Sequence, residues 1–388
     1  MKFETEYLKI IEKIESFNPK TYKKTRNFLN GKVSHLSPYI TAGVVSQKQI
    51  IDILLKKFSL KELKDYIFEL AWREYFYNIW EEKGDQIFED LKNTQVYENK
   101  EVPKVVVEGK TGIDAIDQEI KNLISFGYMH NHARMWCASL CTNFARSYWY
   151  KPSKWMYYHL IDGDLASNTL SWQWVCGAFS NKKYWFNQDN VNKYSEINQK
   201  NTIVDKNYQD LPSAAIPEPL KDLVPLKLEM KYPNFGQNIL NNGSKINIYS
   251  LEDLDFSTKQ VFIYHPWNLN PLHTKNSKID KVFLLDKSFF NEFPMSLLRI
   301  NFYLELCLNI PGIKVALVDF DNLINKYPEI DFLTTYHPMV EHFSCMQYPV
   351  EKMFPALSGY YPSFFSFWKK AEKQLKKMYE RDQNMPNM

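Results

Sequence analysis

The run from His159 to Trp174 holds a high density of side chains that could do chemistry. It contains two carboxylates, an asparagine and two indoles: Asp162, Asp164, Asn168, Trp172 and Trp174. A preceding stretch that we expect to be helical adds a cation and a soft apolar group, Arg134 and Met135. Hydrogen-bonding groups and oxidisable rings at this density are what a flat, electron-rich cofactor needs around it.

Small hydroxyl side chains also stand just before an expected helix that begins near Ser46. The segment Ser34-His35-Leu36-Ser37-Pro38-Tyr39 follows a glycine, and its hydroxyls and backbone amides could bind phosphate oxygens. The alternative is that Ser37-Pro38 only starts a helix. This segment by itself leaves both readings open.

Arg134 and Asp162 could form a buried ion pair if their two segments pack together. Such a pair keeps its charges through mutual hydrogen bonds and would direct Asp162 toward a ligand N–H. A purely structural ion pair explains the same residues. The carboxamide of Asn168 could both donate to and accept from the redox-active nitrogen of a flavin, or could simply lie in a turn.

Trp172 and Trp149 are candidates for electron transfer. Electrons cross a protein by hopping between oxidisable rings a few ångströms apart, and tryptophans on neighbouring helices can supply such hops. Ordinary aromatic packing in a core explains the same residues.

The elements that must position these groups are helices. Apolar residues recur every three or four positions in four segments, at 52–55, 63–77, 113–124 and 135–144. We therefore predict an all-helical domain over residues 1–195. Residues 196–245 are rich in Asn, Lys, Asp and Pro, which predicts an extended linker.

The C-terminal part has a different pattern. Short β-rich runs at 260–264, 281–285, 314–318 and 332–335 alternate with expected helices at 294–308 and 363–381. Continuous apolar strands between helices indicate a mostly parallel sheet that is covered on both faces. The predicted fold class is therefore multidomain, with a helical domain followed by a small, Rossmann-like α/β domain at 246–388.

Composition limits the class of protein, although it neither supports nor excludes a nucleic-acid partner. The net charge of +3 is small for 388 residues, so total charge gives no argument for a nucleic-acid partner. The five cysteines show no Cys-x-x-Cys spacing, and we expect buried thiols rather than disulfides or a metal site. The first residues lack an apolar signal segment, and no uncharged apolar run approaches membrane-spanning length, so we expect a cytoplasmic protein.

Taken together, residues 20 to 190 resemble the flavin-binding catalytic domain of the DNA photolyase and cryptochrome family. The resemblance rests on motifs that stand in the family's order: Tyr22-Lys-Lys-Thr-Arg26-Asn-Phe28, Leu36-Ser37-Pro38-Tyr39, Trp72-Arg73-Glu74, Gly109-Lys110-Thr111-Gly112, Met129-His130-Asn131, Arg134-Met135 and Ile161 to Asn168. It implies an all-helical domain that holds FAD in a U shape. It implies diphosphate and ribityl contacts from Tyr22, Ser34, Leu36 and Ser37. It implies isoalloxazine contacts from Arg134, Asp162, Asp164 and Asn168.

The resemblance is closest to the photolyases that act on cyclobutane pyrimidine dimers. It implies that the flipped lesion is held by Glu69, Trp72, Asn131, Met135 and Trp174. Trp72 and Trp174 would give flat walls for the unstacked dimer, while Glu69 and Asn131 would bond its base edges. Relatives that repair the 6-4 adduct carry His at the positions of Asn131 and Met135.

The implied reaction is driven by light, with reduced FAD lending an electron that splits the cyclobutane ring and then returns. Glu69 would stand nearest to the transient negative charge, which it could stabilise only as a protonated hydrogen-bond donor with a pKa raised by burial. The implied partner is UV-damaged DNA.

Three features depart from the family's pattern. Trp172 and Trp149 match the inner two members of its electron-transfer chain, but Val96 stands at the outer position, with Tyr97 beside it. His132 replaces a common Arg, which puts one phosphate contact in doubt.

The third departure is domain order, because the family's antenna domain usually precedes the helical domain and the α/β domain here follows it. That domain could be a relocated antenna or an unrelated module, and a second chromophore stays uncertain. His265, Asp280 and Asp319 lie near strand ends, where ligands often bind in such sheets.

Two other functions remain open. A cryptochrome-type photoreceptor would use the same flavin to signal to a protein partner, and a degenerate module would bind without photochemistry. The five lesion contacts favour repair. The sequence leaves open the preference for single- or double-stranded DNA and the oligomeric state.

Overall fold

The computed structural model describes residues 2–382, which form two compact units. The first, the α/β unit, comprises the chain up to Phe17, His35–Lys57 and Glu229–Met353. The second, the helical unit, comprises Asn18–Ser34, Phe58–Leu228 and the chain from Phe354 onward.

This division differs from the predicted boundaries at 195 and 246. Two segments of the predicted helical domain belong to the α/β unit, and the last helix belongs to the helical unit. The physical reason is that an amphipathic sequence shows that a helix has an apolar face but does not show which core covers that face.

The helical unit is built mainly from helices of very different lengths. They are α2 (Pro19–Thr25), α5 (Leu60–Lys83), α6 (Lys104–Val107), α7 (Asp114–Phe126), α8 (Asn131–Ser139), α9 (Tyr150–His159), α10 (Leu165–Cys176), α11 (Gln188–Ser195) and α15 (Phe364–Asp382). Two short strands, β1 (Val102–Pro103) and β2 (Leu223–Val224), pair in antiparallel fashion. The predicted helix at 135–144 changes into one π-helical turn over Leu140–Phe144.

Helix α10 lies at the centre of this unit, where it packs against α5, α8 and α9. Eight of its twelve residues are buried, as expected for a helix that is covered on several sides. The Asp164 side chain caps its N-terminus, and Gly177 ends it in the left-handed conformation. The candidate residues of the run from His159 to Trp174 are thus carried by the innermost helix and by the loop that leads into it.

Gly127 fixes the approach of that loop to the end of α7. It has a φ of +70°, and a Cβ built on it would stand 2.4 Å from Cγ1 of Ile161. The Ile161 amide donates to the Gly127 carbonyl at 2.8 Å. A glycine is therefore required here both for its backbone conformation and for the close approach of the neighbouring chain.

The α/β unit contains a seven-stranded sheet with the order β3-β4-β7-β6-β5-β8-β9. The strands are β3 (Gly236–Ile239), β4 (Lys245–Tyr249), β5 (Gln260–Tyr264), β6 (Asp280–Leu284), β7 (Ile313–Ala316), β8 (Asp331–Thr335) and β9 (Met346–Tyr348). The helices of this unit are α1 (Tyr7–Ser16), α3 (Ser37–Thr41), α4 (Gln47–Leu55), α12 (Lys287–Glu292), α13 (Leu297–Cys307) and α14 (Phe320–Lys326). Only the β3–β4 pair is antiparallel among the described strands of this sheet.

The order β7-β6-β5-β8-β9 is that of a doubly wound sheet, with a topological switch point between β5 and β8. The four predicted strands and the two predicted helices of this region are confirmed, with ends that differ from the predicted ones by at most three residues. The stretch predicted as a linker, 196–245, instead contains β2, β3 and the first residue of β4. Strand β3 escaped prediction because it lies at an edge and its residues are mostly exposed, so they lack an apolar pattern.

Candidate functional site

The predicted ion pair between Arg134 and Asp162 is present. Nη2 of Arg134 donates to both carboxylate oxygens of Asp162, at 3.0 and 2.8 Å, and Nε donates to the Met129 carbonyl at 2.8 Å. Burial acts to lower the pKa of Arg134, but Asp162, together with Tyr128 and Glu119, outweighs it, and the net pKa is raised. The guanidinium therefore stays charged and holds the buried Asp162 carboxylate in one orientation.

Asp164 has a structural contact that the sequence reading did not include. Its Oδ1 accepts a hydrogen bond from the Ser167 amide at 2.7 Å, which caps α10, and its Oδ2 lies 3.6 Å from Nη1 of Arg73. The side chain is almost fully buried. Asp164 thus holds the first turn of α10 in place next to the Arg134–Asp162 pair, two residues earlier in the chain.

The first turn of α10 also carries groups that could receive a ligand. Nδ2 of Asn168 donates to the Ser153 carbonyl at 3.0 Å, which fixes the carboxamide. The hydroxyl of Ser167 is buried and has no hydrogen-bond partner within residues 2–382. A buried hydroxyl without a partner costs free energy, so a polar ligand edge at this turn would stabilise it. The donor and acceptor set at 162–168 fits a group with carbonyl and N–H edges, such as an isoalloxazine ring.

The residues predicted near the FAD diphosphate divide between the two units. Tyr22 is buried and its ring meets Tyr66 edge-on, with centroids 5.2 Å apart. The Tyr66 hydroxyl donates to Oγ of Ser34 at 3.3 Å, so Tyr22, Tyr66 and Ser34 form one cluster in the helical unit. Leu36, which is buried, and Ser37, at the start of α3, lie in the α/β unit.

Glu69 is half-buried on α5, and its Oε1 lies 2.8 Å from Nη1 of Arg26. Burial raises the pKa of Glu69, while Arg26 acts in the opposite direction without cancelling the rise. The carboxyl group therefore binds a proton more readily than an exposed glutamate does. Removal of Arg26 from its side, for example toward a phosphate, would raise the pKa of Glu69 further.

The indole of Trp72 is stacked on another ring of the protein. Phe364, the first residue of α15, lies parallel to it, with centroids 3.7 Å apart and an interplanar angle of 9°. Phe364 is buried, and it also meets Phe68 edge-on at 4.9 Å. The face of Trp72 that Phe364 covers is not available to a lesion in this conformation, although the side chain keeps some exposure.

Asn131 and Met135 lie four residues apart on α8, Asn131 exposed and Met135 half-buried. His132, between them, packs its ring against Tyr194 at 4.3 Å and Trp136 at 5.0 Å. Burial lowers the pKa of His132 to about 4. His132 is therefore a neutral packing residue near pH 7 and cannot supply the positive charge of the arginine that it replaces.

Trp174 is exposed at 36% of its surface, whereas its neighbours Trp172, Gln173, Val175 and Cys176 are buried. Its ring is tilted against Tyr184 at 6.1 Å, and the turn beyond it is closed by a bond from Ser180 Oγ to the Trp174 carbonyl at 2.8 Å. The end of the central helix thus presents one indole to solvent.

The two predicted electron carriers, Trp149 and Trp172, are both buried in the same apolar core. Nε1 of Trp149 donates to Oδ1 of Asp90 at 2.7 Å. This core explains both indoles as packing residues, and the bond to Asp90 additionally fixes the ring plane of Trp149.

The three strand-end residues of the α/β unit have structural contacts. His265 is fully buried between the Thr335 carbonyl and the Trp267 amide, which bond its two ring nitrogens at 2.9 and 3.3 Å. Asp280 accepts bonds from Ser257 and Thr258. Asp319 is the N-terminal flanking residue of α14. An apolar cavity beyond the switch point is lined by Trp267, Asp286, Phe289 and Phe343, among others.

Within residues 2–382, no helix is both long enough and apolar enough to cross a membrane. Four of the five cysteines are buried, and Cys345 is half-buried.

Sequence reasoning missed four residues that the structure places against predicted site residues: Arg26, Asp90, Ser167 and Phe364. Arg26 belongs to the motif Tyr22 to Phe28, and its charge is opposite to that of Glu69. These two facts are the sequence signal that could have predicted an ion pair between them. Phe364 gave none, because its partner Trp72 lies 292 positions earlier in the chain.

Residues 66–234 match the family model described as the FAD binding domain of DNA photolyase. A deoxyribodipyrimidine photo-lyase of Vibrio cholerae is 31% identical over 167 residues, which are 40% of this chain and 36% of that protein. A cryptochrome DASH of Gloeobacter violaceus is 29% identical over 226 residues, 54% of this chain and 44% of that protein. A crystal structure of a Synechocystis cryptochrome aligns with a TM-score of 0.46 and 24% identity, over 50% of this chain and 44% of that one. The chain thus spans less than half the length of these relatives.

Proposed function

Because the chain belongs, through its helical domain, to the DNA photolyase and cryptochrome family, we propose that it binds FAD and uses light to repair cyclobutane pyrimidine dimers in DNA. The FAD would be held by the Arg134–Asp162 pair, the first turn of α10 and the Tyr22–Ser34 cluster. Reduced FAD, when bound and illuminated, supplies the electron that opens the cyclobutane ring. The protein side chains would bind the flipped dimer and stabilise the negative charge that develops on it.

The observation that carries the proposal is the exposed indole of Trp174. It lies in the last turn of α10 between buried neighbours, and 36% of its surface is open to solvent, so a flat ring can stack on it. A nucleobase stacked on such a ring contributes about 1–3 kcal/mol to binding. Trp174 therefore suits an unstacked, flipped pyrimidine dimer.

Asn131 and Glu69 supply the polar part of the proposed pocket. The Asn131 amide is exposed and can both donate to and accept from a base edge. Glu69, with its raised pKa, can bring a proton into hydrogen-bond range of the dimer while negative charge develops there. Arg26 orients the Glu69 carboxyl before DNA binds.

The direct test uses protein loaded with FAD, reduced with dithionite and illuminated with an oligonucleotide that carries one cyclobutane dimer. We expect restored thymines in light and none in the dark. Trp174→Ala should keep its FAD and lose most of the repair, while Tyr208→Ala, which removes an exposed ring elsewhere in the helical unit, should retain it. No repair by the FAD-loaded wild type would contradict the proposal.

Glu69 provides an internal test of the mechanism. If its proton is required, the repair yield should fall as pH rises through the raised pKa of Glu69. Glu69→Gln keeps a donor and should remove that pH dependence, while Glu69→Ala should lower the yield at every pH with FAD still bound. A pH profile shared by wild type and Glu69→Gln would show that another group is responsible.

The second candidate is a cryptochrome-type photoreceptor that signals to a protein partner. The stack of Phe364 on Trp72 favours it, because a repair enzyme has reason to keep that face open. The same oligonucleotide assay separates the two, since a photoreceptor would bind FAD, respond to light and restore no thymine.

A further inference from the structure

The ring of Trp149 is the start of an aromatic path to the surface. Tyr148 lies against it with ring centroids 5.7 Å apart, and Tyr97 lies against Tyr148 at 5.0 Å. Trp149 is fully buried, Tyr148 is half-buried and Tyr97 is 39% exposed. Each ring in this series is more exposed than the one before it, and hops over such distances are short for electron transfer in proteins.

The backbone around these rings is held by several hydrogen bonds. Oε1 of the buried Gln95 accepts from the Trp149 amide at 3.0 Å, and its Nε2 donates to the Ser147 carbonyl at 2.9 Å. The Tyr148 amide donates to the Asn99 carbonyl at 2.8 Å. The loop that carries Tyr97 is therefore fixed against the segment that carries Tyr148 and Trp149, and the ring contacts are a property of the fold.

The carboxylate of Asp90 interacts with two of these rings, Trp149 and Tyr148. Asp90 accepts the Nε1 proton of Trp149 at 2.7 Å. Burial, and then the charge and hydrogen bond of Asp90, raise the pKa of Tyr148 to about 12. The phenol is thus protonated at rest, and Asp90, which is bonded to the neighbouring Trp149, is the carboxylate that acts on it.

We propose that Tyr148 and Tyr97 complete the electron path from Trp149 to solvent, with Asp90 as the proton acceptor for Tyr148. This rests on the proposed function, in which light-excited, oxidised flavin is the oxidant that first removes an electron from the buried tryptophans. Oxidised Trp149 takes one electron from Tyr148, whose phenolic proton passes to Asp90, which leaves neutral Trp149, a neutral Tyr148 radical and a protonated Asp90. Tyr97 then gives one electron to Tyr148, which recovers its proton from Asp90, while the Tyr97 proton goes to water. A thiol in solution reduces the exposed Tyr97 radical.

The path explains the absence of a tryptophan at Val96. Val96 is 80% exposed and has no oxidisable ring, but its neighbour Tyr97 reaches Tyr148 from the adjacent position. Tyr148 is thus an additional ring between Trp149 and the surface. The route differs from one made only of tryptophans because oxidation of a tyrosine also releases its phenolic proton.

The test compares FAD-loaded wild type with Tyr148→Phe, Tyr97→Phe and Tyr150→Phe after a laser flash, by transient absorption and by electron paramagnetic resonance with ring-deuterated tyrosine. Tyr150 is the matched control, because its ring also touches Trp149, at 5.5 Å, on the C-terminal side. We expect a tyrosyl radical in wild type and in Tyr150→Phe. We expect only a tryptophan radical in Tyr148→Phe, with a charge-separated lifetime shortened by about tenfold or more.

Two further variants address the proton and the last step. Asp90→Asn removes the base and should slow formation of the tyrosyl radical, with a loss of its solvent isotope effect. Tyr97→Trp should move the final radical from a tyrosine to a tryptophan spectrum. Crystal structures or melting curves of the flavin-free variants establish that the fold is kept.

The outcomes separate this inference from the function on which it rests. In Tyr97→Phe the radical should remain on Tyr148. A tyrosyl radical that persists in Tyr148→Phe, or that disappears in Tyr150→Phe, overturns the path while leaving repair untouched. Failure of the dithionite-reduced wild type to repair a dimer overturns the function, whatever radical is seen.

Discussion

Asp164 shows how one side chain can serve the fold and a cofactor at once. Its carboxylate caps α10 through the Ser167 amide and lies beside Arg73, yet it also stands two residues from the Arg134–Asp162 pair. Loss of FAD in an Asp164 variant could therefore arise either from an altered helix or from a missing ligand contact. The two causes can be separated by a substitution that keeps the cap.

We predict that Asp164→Ala destabilises the flavin-free protein by about 1 kcal/mol, the usual cost of a lost N-cap. Asp164→Ser keeps a capping oxygen and should recover most of that stability in urea unfolding. If the carboxylate also contacts FAD, both variants should bind FAD more weakly in a fluorescence titration. Normal FAD affinity in Asp164→Ser would show that the residue acts only through the helix.

Single residues differ in how well the sequence foretold their roles. The Arg134–Asp162 pair was predicted because opposite charges stand in motifs whose order is diagnostic. The Phe364 ring on Trp72 was not, because a stacking partner 292 positions away leaves no local pattern. The cap formed by Asp164 has a local signal, an Asp before an apolar helix. The sequence analysis nevertheless assigned Asp164 only a contact with the flavin.

At the scale of elements, the end of α7 sets the position of the loop that carries Asp162. Gly127 ends α7 with positive φ, and its carbonyl accepts from the Ile161 amide. The space for a side chain at Gly127 is taken by Ile161 itself. The glycine therefore couples the end of one helix to the residue next to Asp162.

We predict that Gly127→Ala destabilises the helical unit by about 2–4 kcal/mol, through the left-handed backbone and the clash with Ile161. Gly112→Ala is the control, because Gly112 also has positive φ, +78°, but nothing lies within 4 Å of an added Cβ. It should cost only the backbone part, about 1–2 kcal/mol. Equal losses for the two variants in urea unfolding would show that Ile161 moves aside without cost.

The type of an element, helix or strand, was predictable where burial leaves a regular pattern of apolar residues in the sequence. The parallel strands β5 to β8 are apolar because helices cover both faces, and α5 and α7 keep a helical repeat. The π-helical turn at Leu140–Phe144 could not be foreseen, since one added residue per turn does not alter an apolar pattern over so short a stretch.

At the scale of the whole molecule, each unit buries neutral histidines. Burial lowers the pKa of His132, His159 and His265 to about 4, from an ordinary value of 6.5. The first two belong to the helical unit and the third to the α/β unit. The unfolded chain binds these protons at a higher pH than the folded chain does, so the histidines favour unfolding as the solution becomes acidic.

We predict that stability to heat is constant above about pH 6.5 with respect to these groups, falls between pH 6.5 and 4, and levels off below the folded pKa values. His132→Phe keeps a ring against Tyr194 and should reduce the slope in that window. His342→Phe, at an exposed histidine, should leave it unchanged. Melting curves recorded every half pH unit test this, and an unaltered slope in His132→Phe would contradict it.

The sequence could not predict which chain segments make up each unit, because the chain passes between the two units several times. Composition changes near 190 and 246 are real, but the chain enters the helical unit twice before residue 60, at Asn18 and at Phe58, and returns to it a third time at Phe354. Only pairing in space reveals that α1 and α4 belong with the C-terminal sheet, because neither helix carries a residue pattern specific to its partner.

The stack of Phe364 on Trp72 makes α15 a competitor for whatever else that indole binds. If a ligand needs the same face, it binds only the fraction of molecules in which Phe364 has moved away, and its apparent dissociation constant rises by the inverse of that fraction. An aromatic pair worth about 1 kcal/mol corresponds to about fivefold in affinity.

We therefore expect Phe364→Ala to bind a dimer-containing oligonucleotide about fivefold more tightly and to associate faster, whereas Phe365→Ala, at the neighbouring exposed ring, should match wild type. Unchanged association kinetics in a folded Phe364→Ala would mean that the ligand uses another surface of Trp72.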